Sequence, residues 1–287
     1  MSKLCFRLVA ALLSVLAWSP TGYGETPRVD IAKLRQALHF HAPFDGTADA
    51  RLSTAGGKIM TADSPERKQI SPGIRAAGVS IAQGKGKFGD CLRFTEKTDQ
   101  VLMFAGSEMH YAAEDWSGTI SLWLRLNPDQ DLPPGFCDPL QITDKAWNDA
   151  AFFVDFDKDL PRAFRLGAFS NLSHWNPNNI SWDDWPIEKR PMITVKTPPF
   201  SRDAWTHVAF TFERINPTAG ESSRVTLFLN GNAMGTLEQP MQFSWDVEKA
   251  AIMLGIYYIG DLDDVMIFNR ALSPEEVGHL HSATSSL

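Results

Sequence analysis

GDLDDVMIFNRALSPEEV, residues 260 to 277, carries the strongest structural signal in the chain. It reads as a final strand, Leu262 to Phe268, running through a polar turn into a short helix that starts at Ser273. Ser at the N-cap, Pro274 at the first helical position and Glu275 and Glu276 in the first turn satisfy free backbone N–H groups and oppose the helix dipole. A strand followed by so complete a helix start is a closing element, and the chain before it must supply the sheet that this strand completes.

Upstream, apolar and polar residues alternate nearly everywhere. In GTISLWLRL (118–126), Ile120, Leu122, Leu124 and Leu126 share one face, and Thr119, Ser121, Trp123 and Arg125 take the other. WTHVAFTF (205–212) places Val208, Phe210 and Phe212 inward. RVTLFLNGNAMGTLE (224–238) sets Val225, Leu227 and Leu229 before an Asn230-Gly231 turn and a return strand, a strong hairpin signal. AAFFVDFD (150–157) and RAFRLGAF (162–169) form another adjacent pair, joined by a loop holding Asp157, Asp159 and Pro161. About a dozen such strands, with helix only near Val29 to Ala37 and after Ser273, predict an all-β fold. The expected form is a two-sheet antiparallel β-sandwich with a short C-terminal helix.

The N-terminus carries Lys3 and Arg7, an apolar stretch from Leu8 to Ala17, then Ser19, Pro20 and the small-x-small triplet Gly22, Tyr23, Gly24. That order predicts a cleavable signal peptide over residues 1–24, too short in its apolar core to span a bilayer, and a protein that is secreted, periplasmic or on the cell surface. Cys5 lies far upstream of the cleavage point, which argues against a lipid anchor. Residues 25–37 are then a lead segment and 38–282 one large domain. Without Lys3 and Arg7 the chain has 25 basic and 34 acidic residues, a net charge of −9. Such a field repels phosphate, and the basic residues are scattered, so nucleic acid is not an expected partner. The mature chain keeps two cysteines, Cys91 and Cys137. In an oxidising compartment they invite a disulfide, with a stabilisation of about 3 to 4 kcal/mol, while the alternative makes Cys91, in the strand-like CLRF, a buried small apolar residue.

The closing stretch, taken with KFGDCLRF (87–94), GTISLWLRL, WTHVAFTF and VTLFLNGNAMG (225–235), resembles in the same order the motifs of the laminin-G-like, or concanavalin A-like lectin/glucanase, jelly-roll family, which is related to the pentraxins. The resemblance runs from LHFHAPFDG (38–46) to the last helix and implies a concanavalin A-like jelly roll. Two departures stand out. The stretch between Leu254-Gly255 and Gly260-Asp261 is short, and the segment from about Leu172 to Met192 is an insertion rich in Trp, Asn, Asp and Pro.

Three sets of residues are candidates for chemistry. Glucanases of this fold carry a row of carboxylates on one strand; here the matching positions are Asp155, Asp157 and Asp159, whose side chains are one methylene shorter than glutamates and would have to rebuild the separation that glycoside hydrolysis needs. The resemblance also implies a structural Ca²⁺, for which Asp45 and Asp49 near the first strand and Asp263 and Asp264 in the last are the candidate ligands. In the alternative reading these acids cap turns. The insertion offers Trp175, Trp182 and Trp185 with Asn176 and Asp183, the mixture of indole faces and polar groups that sugar sites use, or else a loop folding its own tryptophans beneath it. No phosphate-cradling Gly loop, G-x-S-x-G elbow, H-E-x-x-H or Cys-x-x-Cys motif is present. The sequence thus predicts a non-catalytic recognition module for a polysaccharide or other surface glycan. The rival readings are a glycoside hydrolase using the Asp row and an adhesion or structural module that contacts a surface protein.

Overall fold

The computed structural model describes Met1 and residues 29–287. The expected signal peptide, residues 1–24, lies outside the described residues. Asp30 starts the first helix, α1 (Ile31–Ala37), its Oδ1 accepting from the N–H groups of Ala32 and Lys33. The strands follow in chain order: β1 (Leu38–Ala42), β2 (Met60–Ala62), β3 (Ile70–Pro72), β4 (Val79–Ala82), β5 (Cys91–Phe94), β6 (Val101–Ala105), β7 (Trp116–Arg125) and β8 (Cys137–Thr143). Then come β9 (Ala151–Phe156), β10 (Phe164–Phe169), β11 (Met192–Val195), β12 (Thr206–Ile215), β13 (Ser223–Leu229), β14 (Asn232–Gln239), β15 (Ala251–Ile256) and β16 (Gly260–Phe268). Two single-turn helices, α2 (Pro128–Asp131) and α3 (Leu172–Trp175), interrupt them, and α4 (Pro274–Ser282) closes the chain.

The strands form two antiparallel sheets of 8. The first runs β14-β13-β12-β7-β16-β5-β4, with β1 pairing the later part of β16 beside β5; the second runs β11-β10-β9-β8-β15-β6-β2-β3. Alternation decides what lies between them. Ile120, Leu122, Leu124 and Leu126, with Val208, Phe210, Phe212, Val225, Leu227 and Ile267, all enter one interior and meet Phe152, Val154 and Phe156 of the second sheet there. The Asn230-Gly231 turn has both residues at positive φ, 49° and 78°, which aligns the β13–β14 hairpin with the strand twist. At the end of the chain, Ser273 Oγ accepts from Glu276 N–H while the Glu276 carboxylate accepts from Ser273 N–H, a capping box.

Part of the outer face of the first sheet, over β12, β13 and the end of β16, is covered, which its alternation did not announce. Helices α1 and α4 lay Leu34, Val277 and Leu280 on Ala209, Phe228, Met266 and Phe268, and Val29 and Leu287, close to the two described ends of the domain, pack against the same patch. Thr119, Ser121, Trp123 and His207 are therefore buried as well. His207 bonds Ser121 Oγ at 2.8 Å, and burial lowers its pKa to about 3. His39 and His41 of β1 are also buried: the Glu108 carbonyl accepts from His39 Nε2 at 2.7 Å, and His41 meets Asp264 and Ser286. A further correction concerns Cys91 and Cys137. They sit in different sheets as free, buried thiols, each pushed up to about 12 by burial, and the expected bridge is not formed. Among the described residues no helix is long and apolar enough to cross a membrane.

Candidate functional site

The outer face of the second sheet holds a cleft of about 620 Å³, within the range of sites for small ligands. Its floor is the outward set of three neighbouring strands. Because Phe152, Val154 and Phe156 point inward from β9, Phe153 and Asp155 point out; because Phe164, Leu166 and Ala168 point inward from β10, Arg165 and Phe169 point out. Register then places Arg165 directly opposite Asp155. Arg165 Nε donates to Asp155 Oδ1 at 2.8 Å and Nη2 donates to Oδ2, a two-pronged ion pair, while Nη1 stands 3.4 Å from Asp157 Oδ1. Asp138 and Gln141 of β8 complete the polar floor.

Aromatic side chains build the walls. Gly167 matters here, because a Cβ on it would run into the Phe153 ring; without one, Phe153 stacks on Phe169 with centroids 5.5 Å apart. Trp147 stands edge-on to Phe169 at 5.5 Å and meets Trp182 at 5.1 Å and 88°, so the two indoles form a corner. Arg190 braces Trp182, its guanidinium 4.0 Å from the ring and Nη2 donating to the Trp182 carbonyl. Phe136 lies 4.8 Å from the Arg165 guanidinium on another side, and Tyr257, Lys97 and Lys145 reach the rim. Burial, then repulsion from Asp155, holds the Asp138 carboxyl well above the usual carboxylate range. Burial also pushes Asp155 upward, opposed by the Arg165 pair. Asp155 has the Arg165 guanidinium to offset its burial, and Asp138 has no such ion pair. A second carboxyl, an ion pair, an amide and a corner of indoles can hold and orient a polyhydroxylated ring.

Of the residues singled out from the sequence, Trp182 and Asp155 line this cleft. The Asp row does not form: β9 ends at Phe156, Asp157 leaves the strand half-buried, and Asp159 is exposed in the turn beyond. Trp175 and Trp185 pack behind the wall, 5.2 Å apart, with the Trp175 indole N–H donating to Asn148 O and that of Trp185 to Lys189 O. Asn176 is buried and holds Ile180 from both sides, Nδ2 donating to its carbonyl and Oδ1 accepting from its N–H. Asp183 is exposed outside the cleft. The sequence reading missed Trp147, Phe136, Asp138, Gln141, Arg165 and Tyr257. A signal for Arg165 was present, since it faces Asp155 across the loop joining two strands whose pairing is legible in the sequence; Trp147 lies alone in a loop and carried none.

The four acids expected to hold Ca²⁺ do not gather. Asp45 accepts from Asp90 N–H and Arg51, and Asp49 from Ile59 N–H and Lys58. Asp263 Oδ2 accepts from the Lys87 and Phe88 N–H groups at 2.7 and 3.1 Å. Asp264, at φ 56° in a bulge of β16, is bonded to His41 at 2.7 Å and accepts from Ser286 Oγ at 2.6 Å. Asp263 Oδ1 and Asp264 Oδ2 are buried without partners, yet no group of three or more His, Cys, Asp or Glu side chains among the described residues is placed to hold a metal ion. The carboxylates fit N–H donors and not a cage of six to eight oxygens.

The family model described as the Concanavalin A-like lectin/glucanases superfamily matches residues 114–278, which include most of the cleft. No curated protein matches the chain. Among solved structures, domain 4 of AbnA, a GH43 extracellular arabinanase from Geobacillus stearothermophilus in complex with arabinotriose, is similar with a TM-score of 0.51 at 16% identity, covering 85% of this chain and 98% of that one. The binding domain of botulinum neurotoxin DC in complex with SialylT gives 0.54 at 12% identity over 88% of this chain. The binding domain of Paraclostridial Mosquitocidal Protein 1 gives 0.51 at 14% over 86%. This chain spans about half the length of the two toxin domains, 52% of each. At these identities the likeness is one of fold.

Proposed function

We propose that this chain, which belongs to the concanavalin A-like lectin/glucanases superfamily, is an exported, non-catalytic module that binds a polysaccharide or other surface glycan in the cleft over β8, β9 and β10. The observation that carries this reading is the corner of Trp147 and Trp182 set beside Asp138, Asp155 and Arg165. Indole faces cover the apolar faces of sugar rings, and the polar floor supplies donors and acceptors to their hydroxyls. The bound arabinotriose of the AbnA domain supports a glycan as the ligand class. Binding without turnover is supported by Arg165, which occupies both oxygens of Asp155, the one acid of the expected catalytic row that lines the cleft. Export rests on the N-terminal pattern of Lys3, Arg7 and the apolar stretch after them.

A glycan array run alongside a reducing-sugar assay tests the reading. Wild type is expected to retain a subset of glycans and release no reducing ends, and Trp147→Ala and Trp182→Ala are each expected to lose about tenfold or more in affinity while remaining folded. Turnover that vanishes in Asp155→Asn would replace the module with a hydrolase. Glycan binding that survives both tryptophan changes would move the ligand elsewhere, and capture of protein alone would make this an adhesion module.

A further inference from the structure

The outer face of the first sheet carries a second polar assembly, on the side of the sandwich away from the cleft. Strands β4, β5, β16 and β7 lie side by side there, and their registers bring Ser80, Arg93, Asp261 and Arg125 into one line. Asp261 stands between the arginines and accepts from both: from Arg93 Nε and Nη2 at 2.7 and 3.0 Å, and from Arg125 Nε and Nη2 at 3.1 and 2.7 Å. One carboxylate cannot neutralise two guanidiniums. Trp205, next in line, packs 4.6 Å from the Arg125 guanidinium, and Arg125 Nη2 also donates to the Lys85 carbonyl, which fixes that exposed lysine beside the row. Lys87 Nζ lies 4.4 Å over Trp123, in the row behind. Arg93, Arg125, Lys85 and Lys87 thus surround a single ion-pairing carboxylate on a chain whose net charge is −7.

The two guanidiniums are held but not hidden. Their side chains are 37% and 23% exposed, and Nη1 of each has no bond among the described residues. Held forks lose little freedom when they take up an anion. The backbones of Arg93 and Arg125 stand two strands apart, about 9 to 10 Å along the sheet, and their guanidiniums converge on the single Asp261 carboxylate. We infer that this row is a second binding site, for a polysaccharide bearing carboxylate or sulfate groups, independent of the cleft. A small converged set of cations suits the isolated carboxylate or sulfate groups of an acidic polysaccharide, whereas duplex DNA presents a charge about every 1.7 Å to a protein that repels it overall. None of the large apolar side chains exposed among the described residues belongs to the row, so nothing here inserts into a bilayer.

Affinity measured at low salt with heparin and polygalacturonate, and with dextran, duplex DNA and phosphatidylserine vesicles as comparators, tests the assignment. Wild type is expected to bind at least one acidic polysaccharide and to weaken as salt rises. Arg93→Gln/Arg125→Gln is expected to lose about tenfold or more, and Lys85→Glu, a change at an exposed side chain that leaves the fold intact, about threefold. Trp147→Ala is expected to bind these probes as wild type does, which separates this site from the cleft. Binding to neither acidic polysaccharide, unchanged binding by Lys85→Glu, or equal affinity for DNA or vesicles would overturn the proposal; should the double variant not fold, Lys85→Glu decides.

Discussion

Asp263 shows how a single residue can be readable in type and hidden in role. Its place in the last strand was legible, and so was the alternative that it serves turn backbone; that it would face the Lys87 and Phe88 N–H groups from a buried position was not, because the loop bearing them is 176 and 175 residues away in sequence. Burial pushes its pKa from 3.8 up to about 8, with Asp264 adding repulsion. The folded form therefore keeps a proton that the unfolded chain has released, and stability falls as pH rises between the two values, by about 1.4 kcal/mol per pH unit. Asp263→Asn keeps the accepting oxygen and cannot ionise. Denaturant unfolding should find the variant close to wild type near pH 4 and increasingly more stable than wild type towards pH 8. A gap that does not widen with pH would mean that the carboxyl is ionised in the fold. His39 and His41 teach the same lesson, since the 106–110 segment and the C-terminal tail that bury them lie far away in sequence.

Elements were more legible than residues wherever their signals were local. The helix α4 begins where Ser273, Pro274 and Glu276 said it would, and Arg270 adds a two-pronged pair to Glu276 at 2.7 and 2.6 Å. Ser273→Ala removes the cap on which the whole box depends, at an expected cost of about 1 kcal/mol, visible as a lower melting temperature. An unchanged melting temperature would mean that Arg270 and the apolar face of α4 hold the turn without it. The insertion was legible as a specialised loop and not as a division of labour: Trp182 faces the cleft, while Trp175 packs on Phe169 at 5.0 Å behind it. Trp175→Ala should lower stability by about 2 kcal/mol and spare ligand affinity, the reverse of Trp182→Ala. Loss of affinity in both variants at unchanged melting temperature would place the two indoles in one site after all.

At the level of the whole molecule, alternation foretold two layers, and Val208, Leu227 and Ile267 do share one interior. It could not foretell the cleft, which draws Asp138, Trp147, Asp155, Arg165 and Trp182 from separate stretches whose meeting depends on sheet order. Nor could it tell a carboxylate that binds a cation from one that binds N–H groups. Since Asp45, Asp49, Asp263 and Asp264 are each held by separate donors and do not gather, the melting temperature is expected to be the same in EDTA and in added calcium. A rise with calcium, as mass action requires of an ion that binds only the folded chain, would show that these side chains rearrange around it. One further feature bears on use. Val29 and Leu287 rest on the same apolar patch outside the first sheet, and Ser286 pins the tail to His41 and Asp264. A fluorescent fusion, a bead or a neighbouring module joined after Leu287 would hang from the rear of the sandwich, leaving the mouth beside Trp147 pointed outward and unshadowed.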